Sequence, residues 1–118
     1  MVEVSDDLDR WLSALANRHR REIVRMLALH PHSISRLASI RGLSLPAINR
    51  HVRVLEEAGL IQRRKTGRTT YLTLRQAPIR RLQAWLGEFH AYWGADEASL
   101  ENYERYLATD PQPGKETP

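Results

Sequence analysis

Apolar positions recur along this chain at two periods. Leu8, Trp11, Leu12 and Leu15 stand at i, i+3, i+4 and i+7, the spacing of one face of an α-helix. A second helical run covers Arg18 to Leu29, with Asn17 as its cap and Ile23, Met26 and Leu27 turned inward. His30-Pro31-His32 reads as the turn that ends it. A shorter run follows with Ile34, Leu37 and Ala38, and it stops at Gly42. The fourth run is the most regular: Ile48, Val52 and Leu55 form a stripe that Ala47, His51, Val54 and Ala58 widen. Ser44 stands before it as an N-cap, Pro46 lies in its first turn, and Gly59 is a left-handed stop just past it. The period then changes. Ile61 to Lys65 and Thr69 to Leu74 read as two strands joined by Thr66-Gly67-Arg68. Thr70, Leu72 and Leu74 share one face of the second strand, and Thr69, Tyr71 and Thr73 share the other.

Helical spacing returns in the last third of the chain. Ile79, Leu82, Leu86, Phe89, Trp93, Leu100, Tyr103 and Leu107 follow a heptad seam interrupted only at Asp96, with Trp85 and Tyr92 beside it. Gly87 and Gly94 each weaken a helix by about 1 kcal/mol, and a break is expected near Gly94. A seam this long on a small domain is expected to pack against its copy, together with the Trp11 helix. The expected dimer interface is therefore Leu8, Trp11, Leu12, Leu82, Leu86, Phe89, Trp93 and Leu100. Residues 1–108 read as one domain and 109–118 as a disordered tail. With no membrane-spanning run and an acidic start, the expected location is cytoplasmic.

Charge changes the reading of the middle of the chain. The net +4 hides an asymmetry: residues 1–77 carry 14 Lys/Arg against 7 Asp/Glu, while residues 78–118 carry 4 against 7. Residues 41–75 alone hold 8 basic and 2 acidic side chains. Pro46, Asn49, Arg50 and Arg53 fall on the outer face of the fourth helix, and Arg63, Arg64, Lys65 and Arg68 crowd the hairpin tip. Four cations in six residues repel one another unless a polyanion relieves them, and clustered positive charge is the footprint of a nucleic acid. The candidate DNA-binding residues are Ser44, Leu45, Pro46, Asn49, Arg50, Arg53, Arg63, Arg64, Lys65 and Arg68. Asn49 and Arg50 are placed to read base edges, and Arg68 to reach a minor groove. Arg18-His19-Arg20-Arg21 opens the second helix, where the helix dipole disfavours cations. They either face phosphates or tolerate the mismatch in solvent.

A short helix, a glycine turn, a helix with outward Asn and Arg, and a basic hairpin together describe a winged helix-turn-helix. The residues Ser35 to Ala38, Gly42-Leu43-Ser44, Pro46-Ala47, Arg50-His51, Leu55-Glu56 and Ala58-Gly59-Leu60 resemble the ArsR/SmtB-type repressors of prokaryotes, a likeness that runs from Leu8 to Leu74. The resemblance implies a mainly α fold with a small β-hairpin, a winged helix-turn-helix with a long C-terminal dimerisation helix. It also implies a homodimer joined through its first and last helices, repressing from an inverted repeat in double-stranded DNA. One position departs: Leu45 stands where relatives usually carry a polar, base-reading residue such as Gln. A leucine there can touch thymine methyl groups but cannot hydrogen-bond a base.

The family's metal chemistry has no counterpart here. There is no cysteine, hence no thiolate metal site and no thiol switch. The family's other site places histidines on the final helix directly after the wing, where this chain has Arg75-Gln76-Ala77-Pro78. A similar spacing recurs later as Glu88, His90, Glu101 and Glu104, with one histidine where zinc prefers at least two nitrogen or sulfur ligands. No metal and no cofactor are expected. No catalytic constellation, P-loop or dinucleotide fingerprint appears, His51 reads as a packing or phosphate contact, and no enzymatic activity is expected. The aromatic residues Trp85, Phe89, Tyr92, Trp93, Tyr103 and Tyr106, with Trp11, read either as dimer core or as the lining of an apolar cavity for a small organic effector. The alternatives to a DNA-binding repressor are a winged-helix protein-interaction module and a metal-responsive repressor with a non-standard site.

Overall fold

A computed structural model describes residues 2–89, 94 and 96–109 of the chain. They fall into two compact units, 2–84 and 85–109, so the range 1–108 expected for one domain runs across both. Trp93, Tyr92 and His90 lie outside the described residues, as does the tail from 110.

In the first unit, α1 (Val2–Leu15) buries Trp11 and Ala14, with Leu8 and Leu15 packed beside them. Leu12, on the same expected stripe, is 40% exposed. α2 (Arg18–Leu29) begins where the sequence placed it: the Asn17 side chain accepts from the amide of Arg20 at 3.1 Å. The cations at its start take a course that neither sequence reading anticipated. Arg20 Nε donates to the carbonyl of Ala14 at 2.6 Å, and Arg21 donates to that of Leu15 at 2.9 Å. They lie against the C-terminal carbonyls of α1, where a helix dipole favours positive charge.

His32–Ser33 is not a plain turn but a short strand, β1, and Ser33 also caps α3 (Ile34–Arg41) by accepting from the amide of Arg36. At Gly42 the backbone turns left-handed at φ 67°, and Leu43 donates back to Ala38. Nothing lies within 4 Å of a Cβ added there, so the glycine is needed for its backbone angle and not for space. α4 (Leu45–Glu57) follows, then β2 (Ile61–Thr66) and β3 (Thr69–Leu74) joined by the two-residue turn Gly67-Arg68. The sheet order is β1-β3-β2, all antiparallel, so the hairpin is anchored along β3 by His32 and Ser33 opposite Leu72 and Tyr71. Ile23, Leu37, Ile48, Val52, Leu55, Leu60 and Leu72 are fully buried where these elements meet. Each stabilises the unit by about 1.5–3 kcal/mol relative to exposure.

The long C-terminal helical region is present as two helices. α5 (Gln76–Leu86) ends at Gly87, earlier than the break expected near Gly94, and Phe89 donates to Leu86 in a tight turn. The cost of glycine inside a helix is met here by stopping. α6 (Asp96–Thr109) belongs wholly to the second unit. Within that unit Trp85 and Phe89 meet edge-on at 5.1 Å, and Tyr103 and Tyr106 stack at 6.1 Å. No helix among the described residues is long and apolar enough to cross a membrane.

Candidate nucleic-acid interface

α3, the Gly42 turn and α4 form the helix-turn-helix. The start of α4 is set by Ser44, whose hydroxyl accepts from the amide of Ala47 at 3.2 Å, with Pro46 in the first turn. Its inner stripe holds: Ile48, Val52 and Leu55 are fully buried and Ala58 closes the row. Val54, expected to widen the stripe, is exposed instead, because at its angular position the helix has already turned away from the core. Past the helix, Gly59 sits at φ 81° and Leu60 donates to Leu55, the C-terminal stop read from the sequence.

The outer face is polar and uncommitted. Ser44, Leu45, Pro46, Arg50 and Arg53 are exposed, and Asn49 is half-buried at the edge. Among the described residues neither Arg50 nor Arg53 has a hydrogen bond or ion pair. Leu45, 51% exposed at the tip, is apolar surface presented to solvent.

Register divides the wing's cations between its two faces. Arg63 pairs with Leu72 and Lys65 with Thr70, so these two share the face that carries the buried Leu72. Arg64 stands opposite Tyr71 on the other, exposed face. Arg64, Lys65 and Arg68 are exposed and carry no ion pair among the described residues. Arg63 departs from its expected role as a free cation. Its Nε donates to Oε2 of Glu56 at 2.9 Å, tying β2 to the end of α4. Arg75, just after β3, donates through its backbone to Leu60 at 2.9 Å and through its side chain to Gly59. Both strands of the wing are therefore fastened to one end of the recognition helix.

A third group was invisible in the sequence because its members lie far apart in it. His19 from α2, Arg41 from the end of α3 and His51 from the inner edge of α4 come together. Arg41 Nη2 lies 3.0 Å from Nδ1 of His19, and the two imidazole rings are 5.4 Å apart. Burial lowers the pKa of His51 below its ordinary value, with Arg20, His19 and Arg50 adding to the effect. His32 is also shifted down, by burial first and then by His30 and Arg36, partly offset by a hydrogen bond with the Met26 backbone. Its ring stacks on that of His30 at 4.2 Å, a packing contact.

The expected dimer residues divide. Trp11 is 6% exposed, with Arg81 5.3 Å above its ring, and Leu82 is likewise buried, so both are spent on the core of their own unit. Leu8 is half-buried; Leu12, Leu86, Phe89 and Leu100 are exposed. A hollow of about 460 Å³ opens among α1, the end of α4 and the start of α5, edged by Arg10, Arg75, Arg81, Glu57 and Asp7. Of the displaced metal pattern, Glu88, Glu101 and Glu104 are exposed and His90 is outside the described residues. Among the described residues no three metal-ligating side chains cluster.

Residues 15–64 match a helix-turn-helix domain family. The chain is 33% identical over 69 residues to the transcriptional activator HlyU of Vibrio cholerae; the match covers 58% of this chain and 64% of that relative, slightly under two thirds of its length. Among solved structures, an ArsR-family transcriptional regulator, RHA00566, superposes with a TM-score of 0.65 at 31% identity, over 71% of this chain and 87% of that one. A homodimeric winged helix-turn-helix DNA-binding domain from Mycobacterium bovis superposes with a TM-score of 0.64 at 26% identity, over 73% and 80%.

Proposed function

This chain belongs to the ArsR family of winged helix-turn-helix transcriptional regulators, and from that premise we propose that it is a cytoplasmic, dimeric repressor that reads an inverted repeat. α4 enters the major groove, Asn49 and Arg50 meet base edges, and the wing grips the flanking backbone. Ser44, Leu45, Pro46 and Arg53 line the groove contact, with Leu45 against a thymine methyl. One observation carries the reading: five cations, Arg50, Arg53, Arg64, Lys65 and Arg68, stand exposed and unpaired on α4 and the adjoining wing, above a fully buried apolar stripe. An acidic protein surface could also meet this charge, but the cations follow the outer face of a helix-turn-helix and its wing, the arrangement that fits a groove and its flanking phosphates.

The Vibrio relative bears the name of an activator. The direction of regulation follows from where the operator lies relative to the promoter, and the same contacts serve either outcome. The hollow of about 460 Å³ is edged by Asp7, Arg10, Glu57, Arg75 and Arg81 and, Trp11 apart, not by the aromatic residues expected to line an effector cavity, so it lends the small organic effector no support.

The test is in vitro site selection followed by titration of the selected duplex. Half-sites should lie about 34 Å apart, and affinity should fall steeply with salt as several phosphates release their counterions. Equal affinity for selected and random duplexes at physiological salt would refute the proposal.

A further inference from the structure

The contact between Arg41 and His19 constrains a proton. A guanidinium only donates, so His19 Nδ1, 3.0 Å from Arg41 Nη2, must offer its lone pair. The ring is then neutral, with its proton on Nε2. A charged imidazole has no lone pair, and protonation would set two donors face to face. His51, on the back of the recognition helix, lies 5.4 Å from His19 between ring centroids. The charged groups that bear on it are Arg20 from α2 and Arg50 from α4, with the His19 ring between it and Arg41 from α3. Among the described residues the one carboxylate within ion-pair reach of Arg41 is Glu22, at 4.0 Å, and it is shared with Arg25 at 3.6 Å. Arg20 also donates to the α1 carbonyls of Ala14 and Ser13, which hold it in place beside the cluster. Arg41 Nε is buried with no partner, so the cluster has no spare acceptor to absorb another positive charge.

We propose that His19, Arg41 and His51 are positioning residues that fix α4 against α2 and α3 only while both imidazoles are neutral, so that operator binding is switched off by acidification. The inference rests on the DNA-binding reading above and adds to it a regulatory input, the proton. Its sign is opposite to the ordinary one. A histidine that touches phosphate takes up a proton on binding and strengthens the complex at low pH. Here the added charges repel across α2, α3 and α4 and loosen the helix that reads the bases.

The experiment uses the full chain and its selected duplex at constant ionic strength, between about pH 8 and about pH 5.5. Specific affinity should fall by roughly tenfold or more toward the acid end of this range, as added charge drives the cluster apart. Circular dichroism at each pH should show the chain still folded. The double variant His19→Gln, His51→Gln should bind with a pH profile that is flat over this range. Long-range proton–nitrogen NMR on the free wild-type chain at about pH 8 should show His19 Nδ1 without a proton. A flat wild-type profile, an affinity that rises on acidification, or a protonated Nδ1 would overturn the inference while leaving DNA binding intact. Loss of specific binding already at about pH 8 would instead overturn the functional reading, and the NMR result would still decide the cluster's tautomer.

Discussion

α4 and α6 are both amphipathic, yet they leave opposite faces unsatisfied. In α4 the apolar stripe of Ile48, Val52 and Leu55 is fully buried, and the cations Arg50 and Arg53 lack partners. In α6 and the end of α5, Leu86, Leu100 and Leu107 are exposed apolar side chains. A helix that has finished its apolar packing and displays charge awaits a charged partner. One that displays leucine awaits an apolar one, and on the reading proposed above a second copy of the chain would supply it. On the proposed reading, the two regions divide the labour of a regulator between binding DNA and assembling.

The sharpest way to break this contrast is to charge the second region. Leu86→Arg and Phe89→Glu sit on residues 60% and 68% exposed, so each should leave folding within about 0.5 kcal/mol of wild type. Light scattering should nevertheless report a monomer, because a charge buried between copies is not compensated. A dimer that survives both changes would move the interface to Leu8 and Leu12. Leu55→Ala attacks the opposite face of the comparison: thermal or denaturant unfolding should show a loss of about 2–5 kcal/mol, with assembly lost only as the fold is. Arg50→Ala should cost about 1–3 kcal/mol of binding and relax preference at one base pair. Arg64→Ala or Arg68→Ala should weaken binding to all duplexes and flatten the salt slope. If the wing variants alter sequence preference and Arg50→Ala does not, the roles are exchanged.

The smallest effect concerns stability against pH. His32 and His51 both have folded-state pKa values below 6.5, so the unfolded chain takes up protons first. Their contribution is complete above about pH 6.5 and drains away as pH falls below it. The melting temperature should drop between about pH 7.5 and about pH 5.5, and less so in His32→Gln.

Much of the DNA-facing half was legible because its signals are local. Asn17, Ser33 and Ser44 cap the helices that follow them, Gly42 and Gly59 end helices, and period alone separated α4 from the hairpin. β1 leaves no such local trace, since a two-residue strand is defined by Leu72 and Tyr71, about forty positions away. Contacts across the fold were equally hidden: Arg20 and Arg21 on α1, Arg63 on Glu56, Arg41 on His19. Each uses a charged side chain that composition registers only as surface charge. In the C-terminal half the break expected near Gly94 is present, with that glycine at φ 110° just before α6, while the earlier stop of α5 at Leu86, next to Gly87, was not expected from the heptad spacing.

The fastening of the wing to α4 has a consequence for the DNA. Arg63 holds β2 to Glu56, and Arg75 holds the end of β3 to Leu60 and Gly59. If α4 reads bases as proposed, the span between it and the hairpin tip is thereby set by the protein, like the jaws of a gauge. A duplex must bring a groove edge to that distance, and sequences differ in the energy this takes. Groove width and stiffness at base pairs that no side chain touches then become part of what the operator must supply.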